Sequence, residues 1–562
     1  MRRSGKHSGS AVASLVVLAI LLAACGSSSK GPGSTTGSGK SGGKLVFAAE
    51  QWPKCINPIT QCAQASWLQW TLPIHILPRL MELDTHSNFV PSPLLTGAPT
   101  LTSSGPNNPF TVTYHLNPKA TWQPDGTPIT SKDVSFTLQA YLKSTGSLST
   151  SGYDEVKSVD DSSPTTVKVI FKKPYADWAD VFGGFSGVVL EAAKFTSPNT
   201  GNTMQTSVGF SGGPWILKSW SPSQEILLPN KKYWDASRIP LVDQVTFIPK
   251  PDTNTEVQAI KSGEASAGYP QPSADNVPQL KGGNIETKFG VTTQYEALWL
   301  NEKPGHPFED KNLRAAFSYA FDRQKFLNDI VKPFSPDVQM LNCAAWVPAF
   351  GKWCDNTQFA DITFSPAKVK ENMQKSGYAL DSKGIWAKNG KELTIKWMEN
   401  TDNSRRIDTQ TEFIPLLKKQ GFNLVTDNVD AGTFFEQAVP TGAYDLAMFI
   451  NITGTDPTVT SNMACDSIPG PANQGKGQND YWYCNKQSTA LMHQSDGELD
   501  LTKRLDMIHR IGKYARDDNF NLPLYAFPAM VSWNTGKVTG PLADYVNSPE
   551  SVFWNMYDWS VK

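Results

Sequence analysis

Residues 209–213 read Gly-Phe-Ser-Gly-Gly, the Gly-x-Ser-x-Gly spacing that exposes a nucleophilic serine in many hydrolases. His493 and His509 follow Ser211 in the order that such a triad requires. The motif needs a strand before the serine and a helix directly after it. Residues 214–217 read Pro-Trp-Ile-Leu and predict a strand instead. We therefore expect Ser211 to be structural and the chain to hold no catalytic residue.

Seven cysteines are the other reactive side chains of the sequence. Cys25 stands alone near the N-terminus, and the other six fall as close neighbours: Cys55 with Cys62, Cys343 with Cys354, and Cys465 with Cys484. Six cysteines permit many connectivities, of which local pairing is the simplest. Each local disulfide would stabilise the fold by about 2–4 kcal/mol. Zinc binding is the alternative, but the sequence contains neither a CxxC pair nor an HExxH helix, so we expect no metal and no cofactor.

The N-terminal segment has the layout of an export signal. A basic start precedes an apolar run over residues 11–22, which Leu-Ala-Ala-Cys25 closes. The run is shorter than the roughly 20 residues that span a bilayer, so a membrane-spanning helix is the weaker alternative. We predict a lipoprotein signal peptide at 1–24, lipidation of Cys25 and a flexible Gly/Ser tether at 25–43. The protein would then be extracytoplasmic, anchored by its lipid to the outer face of the cell membrane.

Composition narrows the class of protein. About 540 of the 562 residues remain after the signal peptide, too many for one hydrophobic core, so we expect at least two domains. The 51 Lys and Arg residues nearly balance the 52 Asp and Glu residues, and no basic stripe stands out. The electrostatic pattern of a nucleic-acid-binding protein is therefore missing, and we expect no nucleic-acid partner.

Short apolar runs and amphipathic stretches alternate along the rest of the chain and predict an α/β fold without repeats. Residues 130–133, Thr-Ser-Lys-Asp, form a capping box that opens a helix reaching Tyr141. Gly377 and Gly421 stand where helix C-caps belong. Further helices are predicted over 313–330, 365–375 and 501–515, and strands over 44–49, 110–115, 166–171, 225–228, 245–248 and 393–397.

Two segments of the first half resemble a known protein family. Residues 116–134 read Leu-Asn-Pro-Lys-Ala-Thr-Trp-Gln-Pro-Asp-Gly-Thr-Pro-Ile-Thr-Ser-Lys-Asp-Val. They are similar to the signature of the bacterial extracellular solute-binding proteins of family 5, the oligopeptide, dipeptide and nickel binders of ABC importers. Gly-Gly-Pro-Trp at 212–215 and Asn-Lys-Lys-Tyr-Trp at 230–234 resemble the next motifs of that family. Later matches follow in order at 300–323, 365–378, 442–446, 456–457 and 522–525.

The resemblance implies an α/β, two-lobed clamshell of the class-II periplasmic-binding-protein type, with an inserted subdomain in the first lobe. The first lobe would comprise 44–83, 203–293 and 527–562, the inserted subdomain 84–202, and the second lobe 294–526. A monomeric, non-enzymatic protein would hold a small solute, foremost a peptide, between the lobes and deliver it to the permease subunits of an ABC transporter. The alternatives are an oligosaccharide or other non-peptide solute, and a peptide-sensing lipoprotein without a transport role.

The resemblance also suggests ligand-binding residues. Peptide binders of the family carry an Asp that pairs with the α-ammonium of the ligand, and Thr453 occupies that position here. A hydroxyl cannot supply the charge-assisted bond that a carboxylate makes to an ammonium group. Asp456 would substitute after a loop rearrangement, or would form an Asx turn. Arg405 lies in the segment whose basic residue faces the ligand carboxylate. A solvated arginine is the alternative, and Arg406 would point elsewhere.

Four further residues are predicted to line the site. Trp299 and Asn301 stand on the strand that edges the binding site of the family. Trp52 and Trp397 flank predicted strand ends, and core packing is the alternative for each tryptophan. Flat aromatic faces suit peptide side chains and sugar rings alike, so they leave the class of ligand open.

Overall fold

The computed structural model describes residues 41–84, 86–102, 109–540 and 550–562. A ten-stranded sheet and a four-stranded sheet organise these residues. In chain order, their strands are β1 (Lys44–Ala49), β2 (Thr100–Thr102), β3 (Thr111–His115), β4 (Val156–Ser163), β5 (Thr166–Phe171), β6 (Trp215–Ser221), β7 (Gln224–Pro229), β8 (Gln244–Pro249), β9 (Ala267–Gly268), β10 (Ile285–Leu300), β11 (Thr394–Met398), β12 (Asn423–Thr426), β13 (Leu446–Ile452) and β14 (Asn521–Asn534). The longer α-helices are α1 (Ser66–Thr71), α2 (Ser131–Lys143), α3 (Thr253–Ser262), α4 (Lys311–Ala320), α5 (Pro366–Lys375), α6 (Ser404–Lys419), α7 (Lys486–Gly497) and α8 (Leu501–Asp518).

The large sheet has the strand order β12-β11-β13-β10-β14-β9-β1-β8-β7-β6. Its two longest strands, β10 and β14, pair antiparallel along most of their lengths. Residues Gln294 to Leu300 of β10 also pair with β13, whereas β14 pairs with β9 through Ser532 and Trp533. The β10–β14 pair therefore joins two groups of strands. The predicted lobe boundaries, 293/294 and 526/527, both fall within this pair.

The four-stranded sheet lies inside the predicted inserted subdomain and has the antiparallel order β2-β3-β5-β4. Helix α2 packs against it and begins at the predicted capping box. The Asp133 carboxylate accepts the backbone N–H of Thr130 at 2.8 Å, which satisfies a donor that the helix start leaves open. Shorter strands form separate pairs and a small sheet: Met81–Leu83 with Phe89–Pro91, Val538–Gly540 with Ser560–Val561, and Ala379–Leu380, Trp386–Lys388 and Lys391–Glu392.

Aromatic side chains form the core beside β1. Phe47 on β1 lies 5.4 Å from Phe553 and 5.6 Å from Trp559, measured between ring centroids. Trp67 on α1 joins them, 5.4 Å from Phe553. All four rings are buried, and aromatic pairs at such separations add to the free energy of apolar burial. The C-terminal segment is therefore fixed to the strands around β1.

The prediction of one continuous helix over 313–330 is wrong. Helix α4 ends at Ala320, and Phe321 has extended backbone angles. Asp322 then caps a new short helix, Arg323–Phe326, by accepting the backbone N–H of Lys325 at 2.9 Å. An aspartate at an N-cap is a strong start signal, and here it outweighs the apolar periodicity that runs on through both helices.

Other helix ends match their sequence signals. Gly377 and Gly421 follow α5 and α6 with φ of +78° and +87°, the left-handed backbone that C-cap glycines adopt. Helix α8 starts at Leu501 as predicted and ends at Asp518, beyond the predicted residue 515. Within the described ranges, no helix has the length and apolar character needed to cross a bilayer.

The three predicted disulfides are confirmed. Their Cα–Cα distances are 5.2 Å for Cys55–Cys62, 5.6 Å for Cys343–Cys354 and 4.6 Å for Cys465–Cys484. The third bridge closes the segment that carries Asp480 and Tyr481, two residues of the cavity described below.

Replacing Cys465 and Cys484 by serine should lower the free energy of unfolding by about 3 kcal/mol, because the bridge closes a loop of roughly 20 residues in the unfolded chain. Urea unfolding followed by tryptophan fluorescence measures this loss. The variant lacking Cys55 and Cys62 is the comparison, and it should lose less because its loop is shorter. Equal stability of the first variant and the wild type would contradict this account.

Candidate functional site

A cavity of about 350 Å³ lies between the strands on the β13 side and the elements around β1. Several distant parts of the chain form its wall, and among its residues are Glu50 and Gln69, Asp177 and Asp180, and Arg406 and Tyr481. Glu50 and Gln69 precede the predicted inserted subdomain, and Asp177 and Asp180 belong to it. Arg406 and Tyr481 belong to the predicted second lobe. A concave site with a few directed polar groups at such a junction is typical of small-molecule binding.

A buried ion-pair network adjoins this wall and reaches it through Arg406. It is formed by Glu296, Arg405, Arg406 and Tyr525 and is called here the Glu296 network. The Glu296 carboxylate on β10 accepts from Arg405 Nη2 at 2.6 Å, Arg406 Nε at 2.8 Å and the Tyr525 hydroxyl at 2.7 Å. Burial alone would raise the pKa of Glu296, but the two guanidinium groups outweigh it and hold the pKa at about 2. The carboxylate is therefore ionised at neutral pH.

Of the two arginines at the start of α6, Arg406 borders the cavity and Arg405 does not, which is the reverse of the prediction. Arg405 is 1 % exposed and is absent from the cavity wall, since Glu296 and the Pro272 carbonyl, at 3.0 Å, take its guanidinium. Arg406 borders the cavity and donates from Nη1 to Asn400 Oδ1 at 2.7 Å. The expectation that Arg406 points elsewhere is wrong. Neither arginine is solvated.

Trp299 and Asn301 on β10 lie behind the cavity wall. Trp299 is fully buried, donates its indole N–H to the Phe449 carbonyl at 2.9 Å and stacks on Tyr481 at 4.3 Å. Phe449 and Tyr481 do border the cavity. Asn301 donates its amide to the carbonyls of Gly442 and Tyr444 and fixes the turn before β13. In this conformation, both residues support wall residues and do not border the cavity.

Thr453 and Asp456 both line a small side cavity, and only Asp456 also borders the main cavity. Thr453 donates its hydroxyl to the Thr293 carbonyl at 2.9 Å and faces this side cavity of about 60 Å³. Asp456 borders the main cavity, but Arg504 donates to both of its carboxylate oxygens at 2.5 Å. Asp456 also accepts the backbone N–H of Thr458 at 2.9 Å, which is the Asx turn that the sequence offered as an alternative.

Trp52 and Trp397 pack away from the cavity wall. The Trp52 indole donates to the Ser221 carbonyl at 3.0 Å, and its ring stacks on Trp220. Trp397 is fully buried and donates to Glu399 Oε1 at 2.6 Å. Their contacts in this structure are those of core packing, which was the alternative for each.

Five acidic wall residues escaped the sequence analysis: Glu50, Asp177, Asp180, Asp402 and Asp480. Burial raises the pKa of Glu50, Asp180 and Asp480 to about 7. Burial, together with repulsion from Asp456 and Asp180, raises the pKa of Asp177 well above its ordinary range. No short motif marks these residues, because they come from distant parts of the chain. Perturbed pKa values of this kind gather at functional sites.

Ser211 is structural, as predicted. Its hydroxyl is fully buried and donates to the backbone carbonyls of Ile76, at 3.0 Å, and Trp215, at 2.5 Å. Strand β6 follows it in place of the helix that a nucleophile elbow needs. His493 pairs with an aspartate and His509 with a backbone carbonyl, and the Ser211 hydroxyl donates to backbone carbonyls and to neither histidine. In the part of the chain that the structure describes, no group of three or more His, Cys, Asp or Glu residues is placed to hold a metal ion.

Comparison with known families and sequences gives a consistent result. A family model described as "Bacterial extracellular solute-binding proteins, family 5 Middle" matches residues 99–467. The oligopeptide-binding protein OppA of Mycobacterium tuberculosis is 26 % identical over 439 residues, which cover 75 % of this chain and 70 % of that protein. The oligopeptide-binding protein AppA of Bacillus subtilis is 24 % identical over 568 residues, 97 % of each chain. These are proteins that bind solutes, and the prediction of a non-enzymatic chain is confirmed.

Solved structures share the fold. AppA of Bacillus subtilis in complex with a nonapeptide superposes with a TM-score of 0.80 at 20 % identity and covers 93 % of this chain and 100 % of its own. The periplasmic EDTA-binding protein EppA superposes with a TM-score of 0.79 at 18 % identity, over 94 % of this chain and 98 % of its own. The predicted α/β, two-lobed clamshell is confirmed.

Replacing Glu296 by glutamine should destabilise the protein by about 3–5 kcal/mol, because Arg405 and Arg406 then remain buried without their counter-charge. Thermal unfolding followed by circular dichroism measures the loss. Glu286→Gln on the exposed part of the same strand is the matched control and should change stability by less than about 0.5 kcal/mol. Equal melting temperatures for both variants would show that the network does not hold α6 in place.

Replacing Asp480 by asparagine should stabilise the ligand-free protein at pH 8. Burial raises the folded-state pKa of Asp480 to about 7, above the pKa of about 3.9 in an unfolded chain. The wild type therefore loses stability as the pH rises from about 4 to 7, on the order of 4 kcal/mol in all, and asparagine removes that loss. Melting temperatures at pH 4.5 and pH 8 measure the effect, which should be small at pH 4.5.

The matched control for this measurement is Asp506→Asn, on the exposed face of α8, where the side chain is 70 % exposed. It should leave the melting temperature nearly unchanged at both pH values. A lower melting temperature of Asp480→Asn at pH 8 would mean that ionised Asp480 stabilises the fold, contrary to this prediction.

Proposed function

Because the chain belongs to family 5 of the bacterial extracellular solute-binding proteins, we propose that it is the substrate-binding component of an ABC importer and that its solute is a peptide. One observation carries the proposal: a cavity with walls on both sides of the β10–β14 pair, in a chain whose relatives are named oligopeptide-binding proteins. A solute in this cavity touches both walls at once.

Closure of the lobes is the step that links binding to delivery. Hydrogen bonds join the two sides of the cavity in this conformation: Gln64 Nε2 donates to Asp480 at 3.1 Å, and Arg405 donates to the Pro272 carbonyl at 3.0 Å. A solute that contacts both walls adds interactions that exist only when the lobes are closed. It therefore shifts the population toward the closed form by its differential affinity. The closed, loaded form docks on the permease subunits.

In this proposal the predicted site residues act together with two wall residues that the sequence did not indicate, Phe449 and Tyr481. Asp456 and the aromatic side chains of Phe449 and Tyr481 contact the solute. Trp299 holds those two rings from behind, and Arg405 contributes by ordering Glu296 and closing on Pro272. Asn301, Thr453, Trp52 and Trp397 fix the surrounding backbone.

Delivery also requires that the protein stays at the membrane. The predicted signal peptide, Cys25 and nearly all of the tether over 25–43 lie outside the described residues. In the proposal, a lipid on Cys25 holds the protein at the outer face of the cell membrane, and the tether allows one monomer to reach its permease.

A non-peptide solute is the second candidate. The fold shared with an EDTA-binding protein, at a TM-score of 0.79, favours it, because this scaffold accepts a ligand that is not a peptide. The aromatic wall around Tyr481 would suit sugar rings as well as peptide side chains.

The processed protein, purified without added ligand, should carry short peptides that native mass spectrometry detects and that unfolding releases intact. After refolding without ligand, it should bind one tripeptide per chain in calorimetry, with a smaller radius of gyration in solution scattering because the lobes close. A pool of oligosaccharides is the comparison. Binding of sugars in place of peptides would support the second candidate, and cleavage of the peptides would contradict both.

A further inference from the structure

The cavity wall carries a large excess of acidic side chains. Among the described residues, Arg406 is its one lysine or arginine, against the carboxyl groups of Glu50, Asp177, Asp180, Asp402, Asp456 and Asp480. The whole chain has 51 basic and 52 acidic residues, so the excess is local to the cavity.

Some of these charges are already engaged within the protein. Arg406 pairs with Glu296, and Asp456 pairs with Arg504. Asp402 accepts the backbone N–H of Ala431 at 2.9 Å. Within the described part of the chain, the remaining four carboxyl groups take part in no salt bridge: Glu50, Asp177, Asp180 and Asp480.

Three acceptor atoms on the wall find no hydrogen-bond donor among the described protein groups: Asp480 Oδ1, Asp177 Oδ1 and Gln69 Oε1. Asp480 is 4 % exposed and Gln69 is 3 % exposed. A buried acceptor without a donor costs roughly 1–3 kcal/mol, so native structures rarely keep one without a reason. Amide oxygens and ionised carboxylates are acceptors, so the group that complements these three atoms is a hydrogen-bond donor, such as an N–H group.

Aromatic rings stand next to these carboxyl groups. Tyr481 follows Asp480 in the chain and borders the cavity together with Phe449. Tyr141 and Tyr153 border it from the part of the chain that carries Asp177 and Asp180, with their rings stacked. An aromatic face beside a carboxylate suits a cation on an alkyl chain, since the ring attracts the cation and packs against the chain.

We propose that the peptide carried by this protein has a positively charged side chain, and that Asp480, Asp177 and Asp180 bind the ammonium or guanidinium nitrogens of that side chain. The inference rests on the proposed peptide-binding function and specifies the class of peptide. Asp480 reaches the solute from the predicted second lobe, and Asp177 and Asp180 reach it from the inserted subdomain. A cationic peptide therefore draws both sides of the cavity together.

The energetics of the wall support this assignment. Burial raises the pKa of Asp480 and Asp180 to about 7, and repulsion from Asp456 adds to the shift of Asp180. Ionised carboxylates at these places cost stability in the ligand-free protein. A bound cation supplies the missing counter-charge and makes that ionisation favourable.

Calorimetry with tripeptides that differ in a single charge tests the proposal. Ala-Lys-Ala and Ala-norleucine-Ala share their backbone and the same four side-chain carbons, and differ only in the side-chain nitrogen. Ala-Lys-Ala should bind the wild type at least tenfold more tightly, and Ala-Glu-Ala should bind more weakly than either. In the double variant Asp177→Asn/Asp480→Asn, the ratio should fall below threefold. Asp125→Asn, at an exposed site of the same subdomain, is the matched control and should keep the ratio.

Each outcome separates the inference from the function on which it rests. Equal affinity for the lysine and norleucine peptides, or preference for the glutamate peptide, would overturn the inference and leave peptide binding intact. Spermidine, measured by the same calorimetry, is the test ligand for a cation that is not a peptide. Tight binding of spermidine without binding of any tripeptide would keep the cation site and overturn the peptide function. The wild-type ratio decides the matter even where the double variant does not fold.

Discussion

The arrangement of this molecule depends on the ion pairs and the hydrogen bond that the buried carboxylate of Glu296 makes. Glu296 lies on β10, one of the two strands that join the halves of the large sheet, and binds Tyr525 on the other, β14. It also holds Arg405 and Arg406 in the first turn of α6. Charges buried this deeply are tolerated only when each is paired and hydrogen-bonded. The network therefore fixes the joining strands, the helix start and one edge of the cavity together.

The same kind of group has the opposite role on the cavity wall. Two guanidinium groups hold the pKa of Glu296 at about 2, whereas burial without a salt bridge raises the pKa of Asp480 to about 7. Neighbouring charges, not the carboxyl group itself, make the difference. Glu296 maintains the structure, and the cavity carboxylates are a stability cost that a cationic solute offsets. This contrast distinguishes the binding site from the scaffold that positions it.

Features set by short stretches of sequence were predictable. The Thr130 to Asp133 capping box, the C-cap glycines and the three local disulfides all depend on residues within one or two turns or one short loop. The break at Asp322 was also present in the sequence as an N-cap, but apolar periodicity on both sides of it masked the signal. Adjacent residues on a helix point about 100° apart, and Glu296 binds both arginines. The contact that only Arg405 makes is with the Pro272 carbonyl, 133 residues before it in the chain, and Arg406 is the one that borders the cavity.

The sequence by itself determined the class of the protein, through its α/β content and its resemblance to a family of solute-binding proteins, and it predicted an export signal and the local disulfide pairs. The sequence indicates these features because each depends on interactions between residues that lie close together in the chain. Only the tertiary structure decided which side chains border the cavity. Glu50, Asp177 and Asp480 lie together there because three distant segments converge. Trp299 and Arg405 do not border the cavity because they donate hydrogen bonds to the carbonyls of Phe449 and Pro272. The convergence of distant segments results from tertiary packing, and the spacing of residues along the chain does not predict it.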